Sequence, residues 1–139
     1  MNLYTIALVG LGGFLGAVLR FLVYEMSFKI SSFLANATNM QFVSLLATLF
    51  VNIIGSFALG FLFAYVQNEE LRLFSKDILM SFFGVGLLGA FTTFSTFSYT
   101  NLLLLQNGLY GQLLLNILCN VGLCLLAVHG GLLVYEISR

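Results

Sequence analysis

Gly89-Ala90-Phe91-Thr92-Thr93-Phe94-Ser95-Thr96-Phe97-Ser98 interrupts an otherwise apolar stretch. Hydroxyls and phenyl rings alternate there without a charge. The surrounding residues, Ile78 to Leu105, are long and apolar enough to cross a bilayer, which takes ~20 residues as a helix. Ser and Thr at membrane depth must find partners, because an unpaired polar group in hydrocarbon is costly. The segment is therefore expected to be packed, broken or water-lined rather than a wall facing lipid. Gly84, Gly86 and Gly89 loosen the backbone just before it, and a helix break over Gly89 to Thr93 is the expectation. Such a break frees backbone carbonyls, which suit a hard cation such as sodium. The same glycines spell G-x-G-x-x-G, but no βαβ unit precedes them and they lie within a span, so a dinucleotide fold is rejected.

Outward from this segment lie three more apolar stretches: Leu3 to Tyr24, Phe42 to Val66 and Leu109 to Tyr135. The 139-residue chain is 60% hydrophobic and 7% charged, with no proline. Its mean hydropathy is +1.07. A soluble domain of this length needs a far more polar surface. Period-two alternation is absent, which argues against a β-barrel. The first stretch lacks a basic leading region and contains Arg20, so it does not read as a signal peptide. The expected fold class is an all-α integral membrane protein, a single transmembrane domain over residues 1–139, with four transmembrane helices and a break in the third. Glu25 to Gln41, Gln67 to Asp77 and Gln106 to Gly108 are expected as connections. The first would place Ser31, Ser32, Asn36, Thr38 and Asn39 in a loop or at the interface. The second carries Glu69, Glu70, Arg72, Lys76 and Asp77 into solvent.

Five basic and five acidic residues leave no net charge, which argues against a nucleic-acid partner. Cys119 and Cys124 stand five apart on one helix, poorly placed for a disulfide and too few for a zinc site. Arg72, Lys76 and Arg139 fall on one side of a four-span layout, with Lys29 and nearby Arg20 on the other. So small a bias gives only a weak orientation and permits insertion both ways, which would let two copies meet antiparallel. Small-residue pairs at Gly12 and Gly16, Gly13 and Ala17, and Ser56 and Gly60 suit close helix approach, within one chain or between two.

Two polar stripes accompany the hydroxyl cluster. Ser44, Thr48, Asn52 and Ser56 step by four along the second helix, on one slowly winding face. Asn116, Asn120 and Cys124 do the same on the fourth. A primary amide has four hydrogen-bonding sites to satisfy, so these asparagines read as helix–helix glue or as the wall of a polar track. On the third helix, Phe94 and Phe97 are three apart and share a side. No Asp or Glu lies in a span interior to couple protons, and His129 stands alone. No nucleophile–base pair suggests an enzyme. Neutral amides and hydroxyls can accept an anion without the trap of a full charge. Ring edges are electropositive and ring faces electronegative, so aromatic groups could favour either sign of ion. The residues themselves reach as far as a conduit for a small ion or polar solute.

Three motifs then resemble one family, the Fluc (CrcB) fluoride channels of bacteria. They are G-G-F-L-G-A-V-L-R-F from Gly12 to Phe21, V-N-I-I-G-S-F from Val51 to Phe57, and G-x-x-T-T-F-S-T-F-S from Gly89 to Ser98. Their order, their spacing and the four-span layout agree over essentially the whole chain. The resemblance implies an antiparallel, dual-topology dimer with two narrow pores, multi-pass in the bacterial plasma (inner) membrane, that passively exports cytoplasmic fluoride. It implies that Phe94 and Phe97 present ring edges to fluoride, that Asn52 is the pore asparagine, and that Ser95 and Thr96 line the track. It further implies a structural sodium ion on the Gly89 and Thr92 carbonyls, shared between subunits, and Arg20 near the vestibule. At the positions of Asn116, Asn120 and Cys124 many members carry Tyr or His, then Ser, then Ser or Thr. Ala47 stands where a Gly is common. With the motif residues present, pairing with a second copy of itself is expected over pairing with a paralogous subunit. The alternative, a small proton-coupled multidrug-resistance-type exporter, needs a carboxylate inside the first helix, where this chain has only Glu25 at the far end.

Overall fold

The computed structural model describes residues 2–35, 40–68 and 75–139, and among these every regular element is helical. Helix α1 (Leu3–Ala35) and α2 (Met40–Asn68) form the first two spans. The third span opens with a short helix, α3 (Lys76–Leu79), capped by the Ser75 side chain accepting from the Ile78 N–H. It widens into a π-helix over Met80–Leu88 and tightens again as α4 (Gly89–Phe91). After Thr92 and Thr93 it continues as α5 (Phe94–Gln106), and α6 (Tyr110–Ser138) is the last span. Four stretches, Leu3–Phe33, Met40–Gln67, Lys76–Gln106 and Tyr110–Ser138, are long and apolar enough to cross a membrane. The protein is thus a multi-pass membrane protein by length and composition.

The first helix is longer than hydropathy suggests. Glu25 to Ala35, expected as the start of a connection, continues α1, and Ser31 and Ser32 are helical rather than in a loop. Hydropathy falls after Tyr24, but nothing there breaks a helix: the stretch holds no Gly or Pro. Its hydroxyls are satisfied within the helix, Ser27 donating to the Val23 carbonyl at 2.7 Å and Ser32 to the Lys29 carbonyl at 2.9 Å. The connections expected at Asn36, Thr38 and Asn39, and at Glu69, Glu70 and Arg72, lie outside the described residues.

The turn between α5 and α6 follows from a single glycine. Gly108 adopts φ 69°, a conformation only glycine takes without strain. Leu109 N–H then reaches the Leu104 carbonyl at 2.9 Å and Gly108 N–H the Leu105 carbonyl at 3.1 Å. This pair of reversed bonds is the Schellman ending of a helix, and it turns the chain back on itself.

Helices pair where glycines let backbones touch. A Cβ on Gly12 would collide with the Phe82 carbonyl, and one on Gly16 with the Leu87 carbonyl, so α1 lies directly against the third span. Gly86 reciprocates from the π-helix toward the Val9 carbonyl. On the other side of the molecule, Gly60 of α2 meets the Val128 carbonyl and Gly131 of α6 meets the Phe57 carbonyl. Lipid offers no hydrophobic drive to join helices, so this close van der Waals contact is the main cohesion available. Tyr135 adds edge contacts to Phe61 and Tyr65, with ring centroids 5.8 and 6.2 Å apart. The most enclosed side chains belong to α2 and α5: Val51, Thr48 and Leu104. Apart from that point, α5 packs chiefly on α6 and α2 and leaves much of its first turn uncovered.

Candidate functional site

The site is organised by two extended residues between α4 and α5. Thr92 has φ −76°, ψ 160°, and Thr93 has φ −147°, ψ 113°. Side chains explain the departure from helix. In a continuous helix the Thr93 N–H would serve the Gly89 carbonyl. Here it donates to Asn52 Oδ1 at 2.8 Å, and Asn52 Nδ2 returns a bond to the Thr93 carbonyl at 3.3 Å. The Thr96 N–H would likewise serve the Thr92 carbonyl. It donates instead to Thr93 Oγ1 at 3.1 Å, which makes Thr93 the cap of α5. Glycine permits the approach: a Cβ on Gly55 of α2 would strike the Thr92 methyl.

Two carbonyls thereby lose their helical donors. Gly89 itself remains helical in backbone and lies at the surface of the chain. Thr92 O accepts from Arg20 Nη1 at 3.3 Å. The Thr92 N–H and hydroxyl both turn inward to the Leu88 carbonyl, each at 3.0 Å. Neutral carbonyl oxygens are the donors a hard cation takes, so the pair is chemically suited to sodium. Two oxygens are too few to replace a hydration shell, and the pair from a second copy would be needed to complete one. The Arg20 guanidinium on the Thr92 oxygen is a competing positive charge at that position.

From Asn52 a chain of amides runs across the molecule. Asn52 Nδ2 donates to Asn120 Oδ1 at 3.1 Å. Asn120 Nδ2 donates to Asn116 Oδ1 at 2.9 Å and to the Asn116 carbonyl at 3.2 Å. Asn116 Nδ2 donates to Asn101 Oδ1 at 2.8 Å. Amide oxygen and nitrogen are ordinarily hard to tell apart, but here the direction follows from chemistry. The backbone Thr93 N–H can only donate, so the Asn52 atom it meets is the oxygen. Each later amide is then oriented by the one before it.

A cavity of about 300 Å³ gathers most of the residues singled out by sequence. Asn52, Gly89, Thr92, Phe94, Phe97, Asn120 and Cys124 all line it, joined by Ser56 and Thr93. Phe97 is buried at 9% exposure and Phe94 stands 78% exposed, with ring centroids 5.5 Å apart and planes tilted by 45°. Arg20 and Thr96 line a different cavity, of about 370 Å³, together with Tyr24 and Glu25. The linings of the two spaces meet at Thr93, which faces the first and whose Oγ1 donates to Thr96 Oγ1 at 3.0 Å, and at the Thr92 carbonyl held by Arg20. Ser95 lines neither; its exposed Oγ lies 3.2 Å from Thr93 Oγ1. Asn116 faces a third, mostly apolar cavity of about 260 Å³ with Gln112 and Cys119. Among the described residues, no group of three His, Cys, Asp or Glu side chains is placed to hold a metal.

Two polar residues of the site, Tyr24 and Asn101, were not anticipated, and Thr93 was expected only as part of the hydroxyl cluster and the break. Thr93 carried the ordinary signal of a helix cap, a hydroxyl residue just before a helical run. Tyr24, whose hydroxyl lies 2.6 Å from Thr48 Oγ1, carried none. Asn101 had a signal in the turn: a helical hairpin folded about Gly108 and Leu109 sets residues 101 and 116 at equal distances from its tip.

Four apolar spans around an uncharged polar seam, with the Arg20 guanidinium at its margin, define a multi-pass membrane protein with a polar interior. The family model described as CrcB-like protein, Camphor Resistance (CrcB), matches residues 7–132. The chain belongs to this CrcB family. It is 48% identical over 134 residues to the fluoride-specific ion channel FluC of Campylobacter jejuni, covering 96% of this chain and 99% of that protein. Identity to FluC of Campylobacter lari is 47% over 132 residues, covering 95% and 98%. With FluC of Shewanella frigidimarina it is 45% over 127 residues, covering 91% and 92%.

Proposed function

We propose that this protein is a fluoride-selective ion channel that lets fluoride leave the cytoplasm passively, through pores built jointly by two antiparallel copies. The observation that carries the reading is the cavity between α2, the third span and α6. It holds Asn52, Thr93, Phe94, Phe97 and Asn120 and has no charged side chain in its wall. Relatives similar over nearly their whole length are named fluoride-specific ion channels.

The physics suits a small anion. Removing fluoride from water into hydrocarbon costs on the order of tens of kcal/mol, so its hydration must be replaced piecemeal. Asn amides, Thr hydroxyls and the electropositive edges of Phe94 and Phe97 are weak, dispersed donors for that exchange, and none is strong enough to hold the ion. The Thr93–Thr96 contact is the natural passage between the Arg20 cavity, which serves as vestibule, and the asparagine cavity. Ser95 stands beside that passage, and Asn116, Asn120 and Cys124 continue the polar wall along α6.

A second copy is called for by what one chain leaves open. Phe94 is largely uncovered, and Gly89 lies at the surface beside the same cavity. Sodium on the Gly89 and Thr92 carbonyls of both copies would place fixed positive charge at the seam, making it less hostile to anions. Proton-coupled export finds less support: Glu25 is exposed and shares its cavity with Arg20, away from the asparagines.

Purified protein in liposomes should release trapped fluoride while retaining chloride, read with ion-selective electrodes. Equal release of both halides, or of neither, would reject the reading.

A further inference from the structure

The amide chain has an end that nothing else in the site uses. Asn52 commits both N–H groups, to the Thr93 carbonyl and to Asn120 Oδ1. Asn120 commits its Nδ2 to two oxygens of Asn116. Asn116 commits one N–H, to Asn101 Oδ1. Among the described residues, the Asn101 amide accepts that bond and its own nitrogen donates to no one. Each of the first three amides donates to the next, so the donor end of the array falls at Asn101.

We infer that the half-buried Asn101 amide is an anion-binding residue, the outermost donor of the track, which captures a small hard anion and passes it to Asn116 and the interior amides. The inference rests on the channel reading above. An unshared amide N–H on a polarised chain is a better donor than an isolated one, because each bond upstream strengthens the next. The anion need not break any amide–amide bond to dock at Asn101. It then moves inward by taking the Asn116 N–H that Asn101 had accepted. A purely structural Asn101 would need only its oxygen.

Asn101→Asp separates the two roles. A carboxylate still accepts from Asn116, so the chain of amides and its direction are kept, but the donor is replaced by a negative charge. The measurement is fluoride efflux from liposomes for wild type, Asn101→Asp and Asn101→Ser, each checked for elution at the wild-type size. A hydrogen bond to a charged group is worth about 1.5–3 kcal/mol. Asn101→Asp is therefore expected to conduct about tenfold more slowly or worse. Asn101→Ser keeps both an acceptor and a donor on a shorter side chain and should conduct faster than Asn101→Asp. Wild-type flux through Asn101→Asp overturns the inference while leaving the channel reading intact. If Asn101→Asp does not elute as wild type, Asn101→Ala against Asn101→Ser decides in its place: flux slowed by Ala and restored by Ser supports the inference, and any other pattern overturns it. A wild-type protein that passes no fluoride overturns both readings.

Discussion

Replacing Asn52 with Leu tests whether one amide both shapes the third span and serves the ion. The change keeps side-chain size and removes three hydrogen bonds, at 2.8, 3.1 and 3.3 Å. Side-chain hydrogen bonds inside membrane proteins average ~0.6 kcal/mol and reach ~1.7, so three are worth roughly 2 kcal/mol at the mean. The Thr93 N–H adds a second contribution. Left without a partner it would cost about 1–3 kcal/mol more. It has an escape, because the Gly89 carbonyl stands where a continuous helix would use it. If the backbone closes onto Gly89, the extra loss disappears, and the price is the extended pair itself. The expected outcome is a loss of about 2 kcal/mol with the helix healed, and about 3–5 kcal/mol if it stays open. Either branch removes the donor from the cavity and should abolish fluoride flux. Thermal unfolding in detergent gives the stability, amide hydrogen exchange at Thr93 distinguishes the branches, and liposome efflux gives the function. A variant with wild-type unfolding and wild-type flux would refute both roles at once.

The two phenylalanines should part company under the same substitution. Phe94→Ile ought to slow fluoride while leaving the unfolding midpoint near wild type, because the ring is 78% exposed in one chain. Phe97→Ile should slow fluoride and also destabilise, and truncation to Ala at this buried position should cost about 3–5 kcal/mol. Normal conduction by both Ile variants would end the aromatic-edge role. Among glycines of α6, Gly131→Ala meets the Phe57 carbonyl and should destabilise by about 1–3 kcal/mol, whereas Gly122→Ala has open space and should stabilise by up to about 1 kcal/mol. Equal effects in thermal unfolding would show that α2 and α6 are not held by that backbone contact.

The four spans were legible because hydropathy and length answer the same question in a bilayer. The end of α1 was not, because hydropathy falls at Glu25 while helix formation does not depend on it. The polar stripes were legible only in part. Four residues advance a helix by about 400°, so each step of four drifts by about 40°. Over Ser44, Thr48, Asn52 and Ser56 the drift reaches about 120°. The stripe accordingly divides: Thr48 donates to the Ser44 carbonyl and meets Tyr24 at 1% exposure, while Asn52 and Ser56 reach the cavity. Asn116 and Asn120, one step apart, do bond to each other. The glycines before the hydroxyl cluster lie in the π-helix or remain helical. The extended residues are Thr92 and Thr93, held by an asparagine on another helix that local sequence cannot see.

Amides suit the proposed conduction better than stronger donors would. Every interior amide here is already bonded to a neighbour, so an arriving anion exchanges one bond for another instead of filling an empty site. The bond surrendered is worth ~0.6–1.7 kcal/mol, and the bond gained, to a charge, about 1.5–3. The difference favours the ion at each step by an amount comparable to thermal energy or a few times it, too little to detain an anion whose lost hydration the successive donors together replace. A lysine or arginine in the same wall would hold the ion by its full charge and block the exit. Arg20 faces the neighbouring cavity and is tied to the Thr92 carbonyl. On the channel reading proposed above, it would draw anions toward the mouth without joining the wall.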